Sequence, residues 1–223
     1  MRGQKMKSIN ETWEAYHNKH KGETCFVIGN GKSLANVSND FLHTYPSFGT
    51  NRIYLKYMPN YYVCINELVA RQFKDDIDKL ATTKFVTDRV QIDGAIPLHS
   101  FYTMDFSKKP HEGVCEGNTV TYVCLQLAYW MGFNTVLLIG VDHYYKFDGM
   151  PHERLVASGA DPNHFSPHYF SDGKLWNAPD LAGSEEAYKI ARLVYEEDGR
   201  KIINITPNSK LDIFLKANAS WTL

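Results

Sequence analysis

The side chains best suited to chemistry fall in three short stretches. Gly29-Asn30-Gly31-Lys32-Ser33 follows an apolar run, and glycines with free amides at a helix start attract anions. Asp142-His143-Tyr144-Tyr145 also follows an apolar run and offers one carboxylate and two phenols. A phenol can donate to a departing phosphate without a metal, or can pack under a lid. Asp142 could bind Mg²⁺ or could bond nearby backbone amides. The third stretch carries His164 and His168. A neutral imidazole can take a proton from an acceptor hydroxyl at ordinary pH. Two histidines four apart could also hold a metal on one helix face, but Pro167 interrupts any such helix. No third ligand is near in sequence, so zinc is the lesser reading of this pair, and no metal or cofactor is assigned.

The glycine loop excludes two familiar phosphate cradles. A phosphate-transferring P-loop needs GxxxxGK[ST], whereas here Lys32 follows Gly31 directly. The dinucleotide pattern GxGxxG needs a third glycine, and Leu34 occupies its place. The loop can therefore hold a nucleotide, its glycines letting the backbone come close, but nothing in it activates one.

The elements that must position these residues alternate. Apolar runs at 25–28, 48–51, 61–65, 84–87, 135–139 and 201–205 read as strands. Helical periodicity runs over 1–22 through Ile9, Trp13 and Tyr16, and over 67–80. Asn118 or Thr119 can cap an apolar helix over 120–131, and Ser184 can cap an amphipathic one ending at Asp198-Gly199. Residues 88–115 read as loop with short extended pieces, and 36–43 as a helix or turn. This order implies an α/β fold, a Rossmann-like and mostly parallel sheet flanked by helices, as one domain over 1–223. Residues 146–182 lack periodicity and read as an irregular lid, whose Phe165, Tyr169, Phe170 and Trp176 suggest ordering on ligand binding.

Ligands of such sheets bind beyond the carboxyl ends of the strands. That rule gathers the loops 29–32, 142–145 and 206–209 with Asn51 and Asn66 into one neighbourhood, in which Gly29, Asn30, Gly31, Asn51, Asn66, Asp142, Tyr144, Tyr145, Asn208 and Ser209 are the candidate site residues. Asn118, Thr119 and His164 complete the candidate substrate-binding set.

Composition sets the outer bounds. A chain of 223 residues with 43% hydrophobic side chains can bury a core, and a formal charge of -1 gives no electrostatic ground for binding nucleic acid. Cys25, Cys64 and Cys124 sit in apolar runs, and none of the 4 cysteines has CxxC spacing. Reduced thiols in a cytoplasmic protein explain them. No long apolar run or signal peptide is visible.

The ordered set of Gly29-Asn30-Gly31-Lys32-Ser33-Leu34, Asn51, Asn66, Gly140-Val141-Asp142-His143-Tyr144, His164-x-x-x-His168 and Pro207-Asn208-Ser209 resembles the bacterial lipo-oligosaccharide sialyltransferases. It also resembles the broader related family of 6-hydroxymethylpterin diphosphokinase-like proteins. The resemblance runs from residue 24 to about 214. It implies a Rossmann-like transferase with a lid, using a CMP-activated nonulosonate in an inverting, metal-independent transfer to a glycan or glycolipid. Asn30 and Asn51 would contact the cytidine nucleotide, and Asn66 would lie near the donor. Tyr144, with Tyr145 as the nearest candidate for a second tyrosine, would bond the leaving phosphate, and His168 would take the acceptor proton. The family's arginine before the helix at Val120 is matched here by Gly117, and DPNHF, Trp176 and Pro179 are closer to the broader family. A cytoplasmic location is implied, with peripheral contact at the inner membrane face and homo-oligomerisation left open. Pyrophosphate transfer from ATP and a non-catalytic nucleotide-binding protein are the alternatives.

Overall fold

The structure of the protein, a computed structural model, describes residues 9–218, and for residues 9–11 the backbone only. The elements run α1 (Ile9–Glu14), β1 (Thr24–Ile28), α2 (Asn39–Leu42), β2 (Ser47–Thr50), β3 (Tyr61–Cys64), α3 (Glu67–Gln72), α4 (Lys74–Asp78) and β4 (Thr83–Thr87). They continue with β5 (Ala95–Leu98), β6 (Ser100–Phe101), β7 (Val114–Cys115), α5 (Val120–Trp130), β8 (Thr135–Ile139), β9 (Arg154–Val156), β10 (Leu175–Asn177), α6 (Leu181–Glu197), β11 (Lys201–Asn204) and β12 (Leu215–Lys216). Short 3₁₀ turns cover Lys32–Asn36 and Ile53–Leu55.

Eight strands form one sheet in the order β12-β11-β8-β1-β2-β3-β4-β5, and every neighbouring pair is parallel. From β1 the chain builds outward through β2 to β5, then returns to lay β8 and β11 on the other side. The reversal at β1 and β8 is the switch point at which such sheets leave a crevice. Each expected strand forms within one residue of its bounds, because a parallel strand buried on both faces is a nearly continuous apolar run.

The alternation along each strand divides the core. Cys25 and Val27 of β1 face a cluster with α5 and α6, while Phe26 and Ile28 face one containing Val69, Ile77, Leu34 and the lid residues Tyr169 and Phe170. Every side chain of α5 from Thr121 to Tyr129 is buried, which fits its apolar circumference. No helix among the described residues is long and apolar enough to cross a membrane.

Several elements differ from expectation. The leading helix lies partly outside the described residues, and its described part stops at Glu14. Beyond it the chain is captured by the end of α5, with Asn18 N, His20 N and Gly22 N donating to the carbonyls of Trp130, Met131 and Gly132. The helix over 67–80 is two helices, because Phe73 leaves helical geometry (φ −119°) to bury its ring beneath the Arg52 guanidinium, 3.9 Å from the ring centre. Asp180 rather than Ser184 caps α6. Its carboxylate accepts from Gly183 N at 2.9 Å, while Ser184 is buried inside the helix and donates to the Leu181 carbonyl. The 88–115 loop supplies β5 to the main sheet, and 146–182 contains the antiparallel β9–β10 hairpin.

Candidate functional site

A cavity of about 730 Å³ opens at the carboxyl ends of β1, β2, β3 and β8, beneath the start of α5 and the lid. That volume suits a nucleotide-sized ligand. Of the residues expected there, Gly29, Asn30, Gly31, Asn51 and Asn66 line one side. Asn118, Thr119, Asp142, Tyr144, Tyr145 and His164 line the rest.

Three expected residues are elsewhere. The His168 side chain is exposed and does not line the cavity. Tyr169 and Phe170 bury inward after the turn at Pro167, which leaves His168 facing out, and its carbonyl accepts from Arg52 Nη1 at 3.4 Å. Asn208 is exposed outside the cavity in a left-handed turn, φ 55°. Ser209 is buried beneath it, donating to Val141 O at 2.7 Å, and so braces the loop after β8.

The glycines do something other than admit a ligand. A Cβ on Gly29 would lie 2.5 Å from the Gly140 carbonyl oxygen, and one on Gly31 would lie 2.5 Å from the Asp142 carboxyl carbon. Both positions let the β1 and β8 loops meet at the switch point. Asp142 uses that contact to cap the turn at 32–36, accepting from Ser33 N at 3.0 Å and from Ser33 Oγ. Asn66 is likewise a cap, accepting from Val69 N at 3.2 Å while its amide reaches Asn177 Oδ1 of β10 at 3.4 Å. Thr119 caps α5 through Thr121 N.

Two cavity residues keep unmet hydrogen-bonding capacity. Asn30 donates its amide to Thr50 O at 3.0 Å and to Thr50 Oγ1 at 2.9 Å, which orients its carbonyl. Asn30 Oδ1 and Asn51 Oδ1 are both enclosed without a partner. Buried acceptors are rarely left so. Four cavity residues other than glycine hold positive φ: Asn51 at 50°, Asn118 at 58°, His143 at 54° and His152 at 67°. Backbone strain of this kind gathers at sites of function.

The lid segment at 161–170 is packed in place. Asn163 pairs both ends of its amide with the Lys146 backbone, at 2.7 and 3.0 Å, and Phe165 N donates to Asn30 O at 3.0 Å. Tyr169 Oη accepts from Arg52 N at 3.1 Å. Its ring stacks on His164 with centres 3.9 Å apart. Burial holds the Tyr145 hydroxyl far above its usual pKa, so it remains a neutral donor. Tyr144 is 56% exposed at the mouth.

Arg71, Arg89 and Arg154 also line the cavity and had no local signal, since they come from α3, a loop and the lid hairpin. Arg71 pairs with Glu67 and Arg89 with Glu116, each at 2.8 Å, while Arg154 has no partner among the described residues. Asp161 was missed too, although Asp-x-Asn-His is the spacing of a side-chain-to-backbone turn. Among the described residues, no group of three or more His, Cys, Asp or Glu is arranged to hold a metal.

The sheet order and the position of the crevice define a Rossmann-like α/β protein. No family model matches the chain, and no curated protein matches it. Among solved structures, the MAF glycosyltransferase from Magnetospirillum magneticum AMB-1 superposes with a TM-score of 0.56 at 12% identity, over 94% of this chain. This chain spans only 38% of that protein's length, and the likeness is one of fold. The sialyltransferase CstII from Campylobacter jejuni, solved in complex with cytidine-5'-monophosphate, superposes with a TM-score of 0.49 at 13% identity, over 91% of this chain and 88% of the other.

Proposed function

We propose that this protein is a glycosyltransferase that takes a sugar from a nucleotide-activated donor, with a CMP-activated nonulosonate as the donor and inverting, metal-independent transfer. The observation that carries the reading is the pair of unpartnered carbonyls, Asn30 Oδ1 and Asn51 Oδ1, at the strand ends of a nucleotide-sized polar cavity. They call for a ligand that donates, as the amine of a cytosine and the hydroxyls of a ribose do. A fold shared with a protein described as a glycosyltransferase supports the class of reaction. Tyr144 at the mouth and the neutral Tyr145 hydroxyl supply donors for charge that develops on a leaving phosphate. The acceptor is a glycan or glycolipid hydroxyl reaching the cavity from its open side.

The test is a thermal-shift screen with CMP, CDP, UDP, ATP–Mg²⁺ and pterin. CMP or CDP at a hundredfold excess over Kd raises Tm by roughly 5–10 °C, from about 2.7 kcal/mol of linkage in a chain of this size. Stabilisation by ATP–Mg²⁺ and pterin alone would replace this reading with pyrophosphate transfer. No shift with any nucleotide would remove it. Tyr144→Phe then separates chemistry from binding: the CMP shift survives and transfer is lost.

A further inference from the structure

Three histidines line the cavity, and they are not equivalent. His143 gives its Nε2 to Glu185 at 3.0 Å, and His152 gives its Nε2 to Asp180 at 3.5 Å. His164 is built the other way round. Its Nδ1 lies 2.8 Å from Asp161 Oδ2, and its Nε2 has no partner among the described residues. The two side chains are only 9% and 4% exposed.

The support beneath this pair is extensive. Asp161 Oδ1 accepts from Asn163 N at 2.8 Å and from His164 N at 3.1 Å, and Oδ2 also accepts from Phe170 N at 3.2 Å. Burial acts to raise the Asp161 pKa, but the His164 bond and these amides outweigh it and hold the carboxyl below its usual value. An ionised carboxylate only accepts, so the hydrogen on Nδ1 is assigned by the bond and the lone pair falls on Nε2. Tyr169 fixes the ring plane, stacked at 8°, and a bridge between His164 and Gly31 fixes the strand position against the glycine loop. A carboxylate on Nδ1 and an unpartnered Nε2, on a residue that lines a cavity, is how proteins prepare a general base.

We propose that His164, oriented by Asp161 as its positioning residue, is the proton acceptor of the transfer, in place of the exposed His168. This rests on the glycosyltransferase reading. The acceptor oxygen bonds to the anomeric carbon and its proton passes to His164 Nε2. The bond from that carbon to the phosphate oxygen breaks, and its electron pair leaves with the nucleotide. Around His164 stand Asp161 on Nδ1, Tyr145 edge-on and Tyr169 stacked, the two phenols held neutral by burial, and the Arg52 backbone amide donates to the Tyr169 hydroxyl. Of these only Asp161 bonds the ring, so its carboxylate is what holds the imidazole in orientation.

The test compares wild type with His164→Gln, Asp161→Asn and His168→Ala in a transfer assay across pH, each variant checked by its CMP-induced thermal shift. His164→Gln lowers kcat by about 10²- to 10⁴-fold with the nucleotide shift retained, and His168→Ala stays within a few-fold of wild type. Asp161→Asn lowers kcat while KM stays within a few-fold of wild type, the split expected when a residue orients the base rather than binding substrate. Should the first two variants fail to fold, the wild-type acid limb is compared with the histidine titrations read by NMR; it follows His164. A limb that follows His168, full activity in His164→Gln, or loss confined to His168→Ala overturns the assignment while leaving the glycosyltransferase standing. A wild type that binds no nucleotide and transfers no sugar removes both.

Discussion

A single glycine shows how far one residue could be read. Gly29 and Gly31 stand in the sequence as a loop that admits a ligand, and both do line the cavity. Their lack of a side chain serves a different contact, because the partner that fills the space is the β8 loop. Sequence spacing cannot reveal that, since residues 29 and 140 come together only through the sheet order. Gly29→Ala therefore acts on stability first. Its Cβ would meet backbone atoms of Gly140, which cannot rotate away, so the strand ends must separate. Overpacking of this kind costs about 1–3 kcal/mol. Urea unfolding checks it: the midpoint falls with an unchanged slope. An unaltered midpoint would mean that the loops are not in contact. The place of Asn30 at the cavity was legible for the opposite reason, as its polar side chain stands two residues past the end of an apolar strand.

At the level of elements, buried strands and the apolar helix α5 were legible because burial on all sides leaves a continuous apolar run. Boundaries decided by tertiary contacts were not. The start of α6 is one such boundary. Asp180 and Ser184 are both good capping residues, and Gly183 between them looks like a helix breaker. The glycine is inside the helix because a side chain there would overlap the Asn118 amide at the cavity wall. Asp180 therefore caps, and Ser184 is an interior residue. Asp180→Ala should destabilise by about 0.5–2 kcal/mol, while Ser184→Ala, which loses only a bond back to the Leu181 carbonyl, should cost less. Paired thermal melts decide between them. A larger loss in Ser184→Ala would return the cap to the position suggested by sequence. The missed edge strands have a plain cause as well: β12 has two residues, and β5 contains Pro97, which a sheet tolerates only at an edge.

At the scale of the whole molecule, the strand ends converge on one crevice as the alternating pattern implies, and the lid is where sequence and structure part most. Residues 146–182 read as one irregular unit because no periodicity divides them. The structure divides them by burial. In 161–170, Tyr169 and Phe170 sit in the core, and the amides of residues 161, 163, 164, 165, 169 and 170 are all bonded. The β9–β10 hairpin is only three residues a strand, its side chains are exposed or half-buried, and Gln72 and Asn66 tie it down through three bonds. Arg154, the cavity arginine without a partner, is carried on it. Amide exchange should therefore split the lid. In the free protein 161–170 exchanges as slowly as its core neighbours, while 150–160 and 171–177 exchange orders of magnitude faster. An anionic nucleotide that engages Arg154 would draw the hairpin down, so adding CMP slows the second group and leaves the first unchanged. Uniform exchange across 146–182 without ligand would instead make the whole segment the moving part, and the packed Asp161–His164 pair would then form only in the bound state.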